Sequence, residues 1–378
     1  MQLSKILFSL FVLLMVQSSH AATWQENLKL GETTTARNEL NVPFVKPTVW
    51  QSFYTAPGNW PIFENRASLD RSPKDKSSKV VTLGTGDPTP NPYRYGPASV
   101  VIVNDFPYFI DCGEGWWRAL AKAVLSQGNI DLVNVFALKN LKYMFLTHLH
   151  EDHTVGLPSF IDNPFKFGTG ANKKVYGPKG IDLMIGHINA AWAVDRNEMF
   201  QGSVSVQRSN FDGATAVGIP IDPAVGVKGR EIFEDDNVKV FAYPTKHGNL
   251  KHTYAYRFIT KPDNRILVFG GDGHYSKGLV EAAKNADVLF IEGITRENIQ
   301  YATWGGDTVE EKVKSISAYH MFPSDLKKVQ DESKVKEIVL IHVQNYNSPD
   351  KFERLGVLHE MIDAGVTNVL QAQDGDMY

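Results

Sequence analysis

The chain reads as an α/β protein, a four-layer αββα sandwich in which helices cover the outer faces of two sheets. Two observations predict it. Short apolar runs of strand length alternate with amphipathic helical stretches from Lys79 to Leu370. The strands also come grouped before and after helices, the order expected of sheets with helices packed outside them.

Taken in order, extended runs at Lys79 to Leu83, Ser99 to Val103 and Tyr108 to Asp111 precede a helix over Trp116 to Leu125. Tyr143 to Thr147 opens with the apolar run of a buried strand, and Val155-Gly156-Leu157-Pro158 turns the chain into the next element. A helix over Gly180 to Ala193 lies inside Ala171 to Asp235, a segment expected to be loop-rich and to cap the functional site. Strands follow at Val238 to Tyr243, Thr253 to Ile259 and Arg265 to Phe269, with a helix over Lys277 to Ala286. Strand Val288 to Glu292, helix Pro323 to Gln330, strand Glu337 to His342, helix Asp350 to Ala364 and strand Thr367 to Leu370 complete the pattern.

This domain, residues 79–378, is preceded by two segments of different character. Residues 1–21 read as a signal peptide: Lys5, the apolar run Ile6 to Val16, then the small-x-small pattern Ser19-His20-Ala21. The apolar run is too short to span a bilayer comfortably, so export to the periplasm or beyond, without a membrane anchor, is expected. Residues 22–78 form an extension rich in Pro, Asn, Thr and Trp, closed by the polar linker Ser72 to Ser78. Its Trp24, Trp50, Phe53, Tyr54 and Trp60 are expected to pack against the main domain.

A chain of 378 residues that is 43% hydrophobic can bury a large core, and its formal net charge of -3 argues against a basic nucleic-acid surface. Cys112 is the single cysteine, so no intrachain disulfide can form, and its thiol reads as a small buried filler. The sequence leaves the oligomeric state open and is compatible with a homodimer.

The stretch Thr147-His148-Leu149-His150-Glu151-Asp152-His153 is the hardest to explain by packing. On an extended segment His148 and His150 point the same way, and a turn after them brings Asp152 and His153 to a second position alongside. Nitrogen and carboxylate donors without thiolate suit zinc, with manganese or iron as alternatives, and the spacing suits two adjacent ions. Three further residues stand at strand ends: His247 after Val240 to Tyr243, Asp272 after Arg265 to Gly271, and His342 after Ile338 to Ile341. Strands sharing one sheet edge would bring these side chains to one rim.

Over about Val80 to Leu370 the chain resembles the metallo-β-lactamase fold superfamily, and within it the group containing tRNase Z and the zinc-dependent arylsulfatases. The resemblance rests on Leu83 to Pro88, Asp111 to Gly115, the His-x-His-x-Asp-His signature, Tyr176 to Gly180, Lys246-His247-Gly248 with Tyr254 to Phe258, and Phe269 to Asp272. It implies two zinc ions per subunit. His148, His150 and His247 would hold one, Asp152, His153 and His342 the other, with Asp272 bridging. It implies hydroxide attack driven by the paired metals, with Asp152 orienting the hydroxide and accepting its proton. By the same resemblance Glu292 and His320 match the residues that neutralise the leaving group. Both loops depart from the family pattern, since Gly293-Ile294 and Met321-Phe322 stand where small or hydroxyl residues are expected. His274 is an alternative donor. His187 and His359 read as surface or packing residues, and His252 has no evident chemistry.

The first expectation for substrate is a sulfate or phosphate ester of a small molecule, aryl esters included, with Trp192, Trp304 and Tyr319 as candidate aromatic walls. The second is a nuclease or cyclic-nucleotide phosphodiesterase of the tRNase Z type, and the third a lactonase or other carboxyl-ester hydrolase. Nucleic acid ranks lower because of the signal peptide, the slightly acidic charge and the lack of a clear basic arm between His153 and His247. A metal-binding protein without turnover, or redox use of iron with a flavin partner, ranks below these.

Overall fold

Successive side chains on a strand face opposite ways, and here that alternation feeds separate cores. In the computed structural model, residues 70–378 are described except 90–93, 128–130, 168–170, 203–210, 223–225, 301, 303–304 and 344–352. They belong to the second of two units into which the chain divides, Met1–Asn65 and Arg66–Tyr378. The expected signal peptide, the extension up to residue 69 with Trp24, Trp50, Phe53, Tyr54 and Trp60, and Trp304 lie outside the described residues.

One sheet contains β1 (Lys79–Gly84), β2 (Ala98–Val103), β3 (Phe106–Ile110), β4 (Tyr143–Phe145), β5 (Lys173–Gly177) and β6 (Ala216–Pro220), in that order. The other contains β7 (Arg230–Glu234), β8 (Val238–Pro244), β9 (Tyr254–Thr260), β10 (Ile266–Phe269), β11 (Val288–Gly293), β12 (Glu337–Val343) and β13 (Val369–Gln371). Each sheet begins with antiparallel pairs and changes to parallel pairing, from β3 onward in the first and β10 onward in the second. Parallel neighbours need crossovers. Helices α1 (Trp116–Gln127), α2 (Leu157–Lys166), α3 (Ile181–Ala191) and α4 (Ala193–Gly202) serve the first sheet. In the second, α5 (Lys277–Ala283), α6 (Val309–Ile316), α7 (Pro323–Ser333) and α8 (Glu353–Asp363) do so.

Val81, Val100, Ile102 and Phe109 face outward onto Trp116, Leu120, Phe160 and Ile185 of the first helical layer. Their neighbours Val80, Val101, Tyr108 and Ile110 face inward and meet Val240, Phe258, Phe269 and Phe290 between the sheets. On the far side Val268, Leu289, Ile338 and Leu340 pack under Leu279, Leu326, Val329 and Met361. The four αββα layers are those the sequence predicts.

The segment Ala171 to Asp235 is not loop-rich. It contributes β5, α3, α4, β6 and β7. The paired lysines opening β5 disguise a strand, yet Lys173 is buried and its Nζ donates to the carbonyls of Ala171 (3.2 Å) and Gly213 (2.5 Å). Gly218 and Pro220 disguise β6, which sits at the sheet's edge, where such residues are tolerated. The polar stretch Ser72 to Ser78 is laid on the domain: Arg71 N donates to Met377 O (2.7 Å) and Ser78 N to the Asp263 carboxylate (2.8 Å).

Candidate metal centre

Strand directions explain why distant residues meet. The strands β10, β11 and β12 run parallel, and β8 shares their direction through its antiparallel neighbour β9. Their C-terminal ends therefore lie on one edge, and the segments carrying His247, Asp272, Glu292 and His342 all leave from it. The turn after β4 reaches the same edge, where Tyr254 N donates to Thr147 O at 2.9 Å. His342 lies within β12 rather than after it, and its left-handed backbone (φ +51°) breaks the strand's alternation at that point.

The structure brings all seven ligand candidates together in two groups. His148, His150 and His247 form one, and Asp152, His153, Asp272 and His342 the other, with the donor atoms of each group within 4.8 Å of one another. Asp272 lies between them. One of its oxygens is 3.3 Å from His153 Nε2; the other is 3.5 Å from His342 Nε2 and 4.0 Å from His247 Nε2. Asp152 Oδ2 is 3.0 Å from His342 Nε2 and 3.5 Å from His153 Nε2. Glu151 to His153 form one 3₁₀ turn, which carries Asp152 and His153 away from the first group. His150 and Asp152 are half-buried and the other five are buried, so among the seven the centre is most open at His150 and Asp152.

The outer nitrogens of the rings are fixed. His153 Nδ1 donates to Asp111 Oδ2 at 2.9 Å, and His247 Nδ1 donates to the carbonyl of Tyr319 at 2.6 Å. Each bond leaves Nε2 to face the centre, the usual arrangement behind a metal-bound histidine. Asp111 also accepts from Thr147 N (2.8 Å) and Thr147 Oγ1 (2.9 Å), so one carboxylate aligns both the ring and the segment that carries His148.

Burial depresses His148 well below the ordinary histidine range, with His153 adding repulsion, and brings His247 down to about 4. Those rings are neutral lone-pair donors at neutral pH. In the second group burial opposes charge but loses to it. Asp272, Asp111 and Asp152 hold His153 well above its ordinary value, while His342 and His153 hold Asp272 well below its own. The donor set fits a metal by a further test: His148 Nε2, His153 Nε2 and Asp272 Oδ1 are buried with no hydrogen-bond partner among the described residues. Cys112 stands in neither group, and burial raises its thiol well above the usual range.

Beside the second group, His320 Nδ1 lies 2.9 Å from Glu292 Oε1, and the same oxygen accepts from Gly273 N (3.0 Å) and Met321 N (3.2 Å). His320 also belongs to a third donor group with His247 and Asp272. Its Nδ1, 3.9 Å from Asp272 Oδ2, is the nitrogen engaged by Glu292, which favours a proton-carrying role over ligation. Burial lowers the His320 pKa, but the Glu292 carboxylate more than compensates and the net shift is upward. His274 is not among the side chains gathered here; its backbone N bonds Lys246 O at 3.1 Å.

Sequence comparison places this architecture. A family described as the beta-lactamase superfamily domain matches residues 108–343. The chain belongs to the beta-lactamase superfamily. Among curated members, the chain is 24% identical over 299 residues to a ribonuclease Z of Archaeoglobus fulgidus, covering 72% of this chain and 89% of that one. It is 23% identical over 323 residues to a ribonuclease Z of Methanosarcina mazei, covering 78% and 96%. Two solved structures share the fold. Human tRNase Z, short form, has a TM-score of 0.53 at 21% identity, covering 79% of this chain and 98% of its own. A metallo-beta-lactamase fold protein from Bacillus subtilis has a TM-score of 0.53 at 16% identity, covering 80% and 99%. These relatives match the tRNase Z group that the sequence motifs resemble.

Two features of the centre were not assigned a role from sequence. Asp111 has the same signal as Asp272 and Glu292, an acidic residue ending an apolar strand. The Tyr319 carbonyl bond to His247 is a backbone contact, which residue identity does not reveal.

Proposed function

We propose that this protein is a metal-dependent hydrolase of phosphodiester-type bonds. The observation that carries it is the pair of donor groups with Asp272 between them and the hydrogen-bonded Glu292 and His320 beside them. His148, His150 and His247 would hold one ion and Asp152, His153 and His342 a second, with Asp272 serving both. Zinc suits these donors, with manganese or iron as alternatives. Bound metal lowers the pKa of water and offsets negative charge on the substrate's oxygens.

The chain's own groups supply the proton transfers. Asp152, half-buried at the open side, accepts the proton of the attacking water. His320, whose protonated form Glu292 favours, donates to the oxygen that leaves as the ester bond breaks. Glu292 is anchored by two backbone amides, so it orients the imidazole rather than reaching substrate itself.

The relatives named ribonuclease Z favour a phosphodiester over the small sulfate or phosphate ester that the sequence reading puts first. A small aryl phosphate or sulfate ester is the second reading, favoured by the near-neutral charge and the signal-peptide pattern of residues 1–21. Export belongs to the same proposal, and N-terminal sequencing of the secreted or periplasmic protein tests it. For the chemistry, the zinc-loaded protein is assayed on bis(p-nitrophenyl) phosphate, p-nitrophenyl sulfate, a lactone and a 3′-extended tRNA precursor. Faster turnover of phosphodiesters supports the proposal; faster turnover of the sulfate or the lactone overturns it.

A further inference from the structure

Tyr319 lies between two parts of the centre. Its backbone carbonyl receives the Nδ1–H of His247, and the next residue is His320. Its ring stands edge-on to the His247 ring, with centroids 5.6 Å apart and planes at 87°. Behind it lie Ile294, Ile299 and Ile316, and the ring is only half-buried. Gly248 makes room for it. A Cβ there would fall 2.0 Å from Tyr319 Cε1, and the left-handed backbone (φ +53°) also favours glycine. Gly248 N donates to Ala318 O at 2.7 Å, so the loop after β8 is clasped to the loop that presents the ring.

A rigid aromatic ring, backed by aliphatics and partly open beside a metal-ligand candidate and a proton donor, is built to meet a flat group. We propose that Tyr319 is a specificity-determining residue whose ring walls the leaving-group side of the site and selects esters carrying an aryl group there. The inference rests on the hydrolase reading for what binds at the centre. Of the other aromatic candidates, Trp192 follows α3 and is exposed.

The test is calorimetric binding of phenyl phosphate and methyl phosphate to the zinc-loaded protein, which needs no turnover. Wild type is expected to bind phenyl phosphate more tightly. Tyr319→Ala should raise the Kd of phenyl phosphate by roughly 3- to 10-fold, as loss of an aromatic contact implies. Methyl phosphate should bind Tyr319→Ala as it binds wild type, and Tyr319→Phe should keep the wild-type ratio. The carbonyl bond to His247 survives every such substitution, so zinc content should not change. If Tyr319→Ala does not fold, Tyr319→Leu keeps apolar volume over Gly248 and carries the same comparison. Equal weakening of both ligands, an unchanged phenyl phosphate Kd, or no phenyl preference in wild type overturns the inference. Retained phenyl selectivity with no phosphodiester turnover would instead defeat the hydrolase reading and leave the wall standing.

Discussion

Asp111 orders the centre from outside it. Its carboxylate accepts a hydrogen bond from His153 Nδ1 and two from Thr147, so its removal loosens one ligand and the segment leading to another. Asp111→Asn should weaken zinc binding by roughly 10- to 100-fold. A chelator competition titration reads this directly, and an unchanged affinity would assign the carboxylate to packing alone. His320 has a different signature. His320→Ala should keep its metal and lose roughly 10²- to 10⁴-fold in kcat on substrates with poor leaving groups, and less on p-nitrophenyl esters. Equal losses on good and poor leaving groups would remove its role as acid. At this scale the sequence was most legible where chemistry is costly to bury. Three histidines and an aspartate within six positions have no packing rationale, whereas Asp111 and Tyr319 act through bonds to ring and backbone atoms that spacing does not show.

The elements deliver these residues through their ends. After β10 the chain passes through Gly271, with φ +63°, before reaching Asp272. A Cβ at Gly271 would fall 2.7 Å from Thr147 Cβ, so a side chain would push Asp272 away from the His148 segment. We expect Gly271→Ala to cost about 2 kcal/mol or more in stability and to reduce bound metal, as denaturant melts and metal analysis would show. A variant of wild-type stability and metal content would mean the two strand ends need no such close approach. Strand ends were readable because apolar runs stop at charged or imidazole side chains, as at Asp272 and His342. β5 and β6 were not, because a buried lysine and an edge-strand proline imitate loop composition. There the sheet overrides local preference, with Lys173 Nζ satisfied by two carbonyls.

Across the whole molecule, the segment before β1 is tied to the second sheet. Asp263 accepts from Ser78 N and from the Thr260 hydroxyl, and these bonds outweigh the effect of burial and hold its pKa at about 2. The unfolded value is near ~3.9. Because the folded value is the lower one, the stabilisation is fully present above roughly pH 4 and is lost as pH falls through about 2. Asp263→Asn should therefore show a shallower loss of stability across that window than wild type. Identical slopes in acid melts of the two proteins would contradict the assignment. The layered architecture was legible because strand-length apolar runs come grouped before and after helical stretches, and in the structure β1 to β3 and β8 to β12 bury apolar side chains on both faces. Which ester is cut was not, since the centre itself is indifferent among phosphorus, sulfur and carbon esters and selectivity resides in the surrounding loops. The paired donor groups are proposed to work together as a two-metal hydrolase. Its most direct test is a zinc titration of chelator-treated protein followed by bis(p-nitrophenyl) phosphate hydrolysis. Activity should rise with metal and saturate at two equivalents per chain; full occupancy without hydrolysis, or hydrolysis that survives chelation, would rule out a two-metal hydrolase.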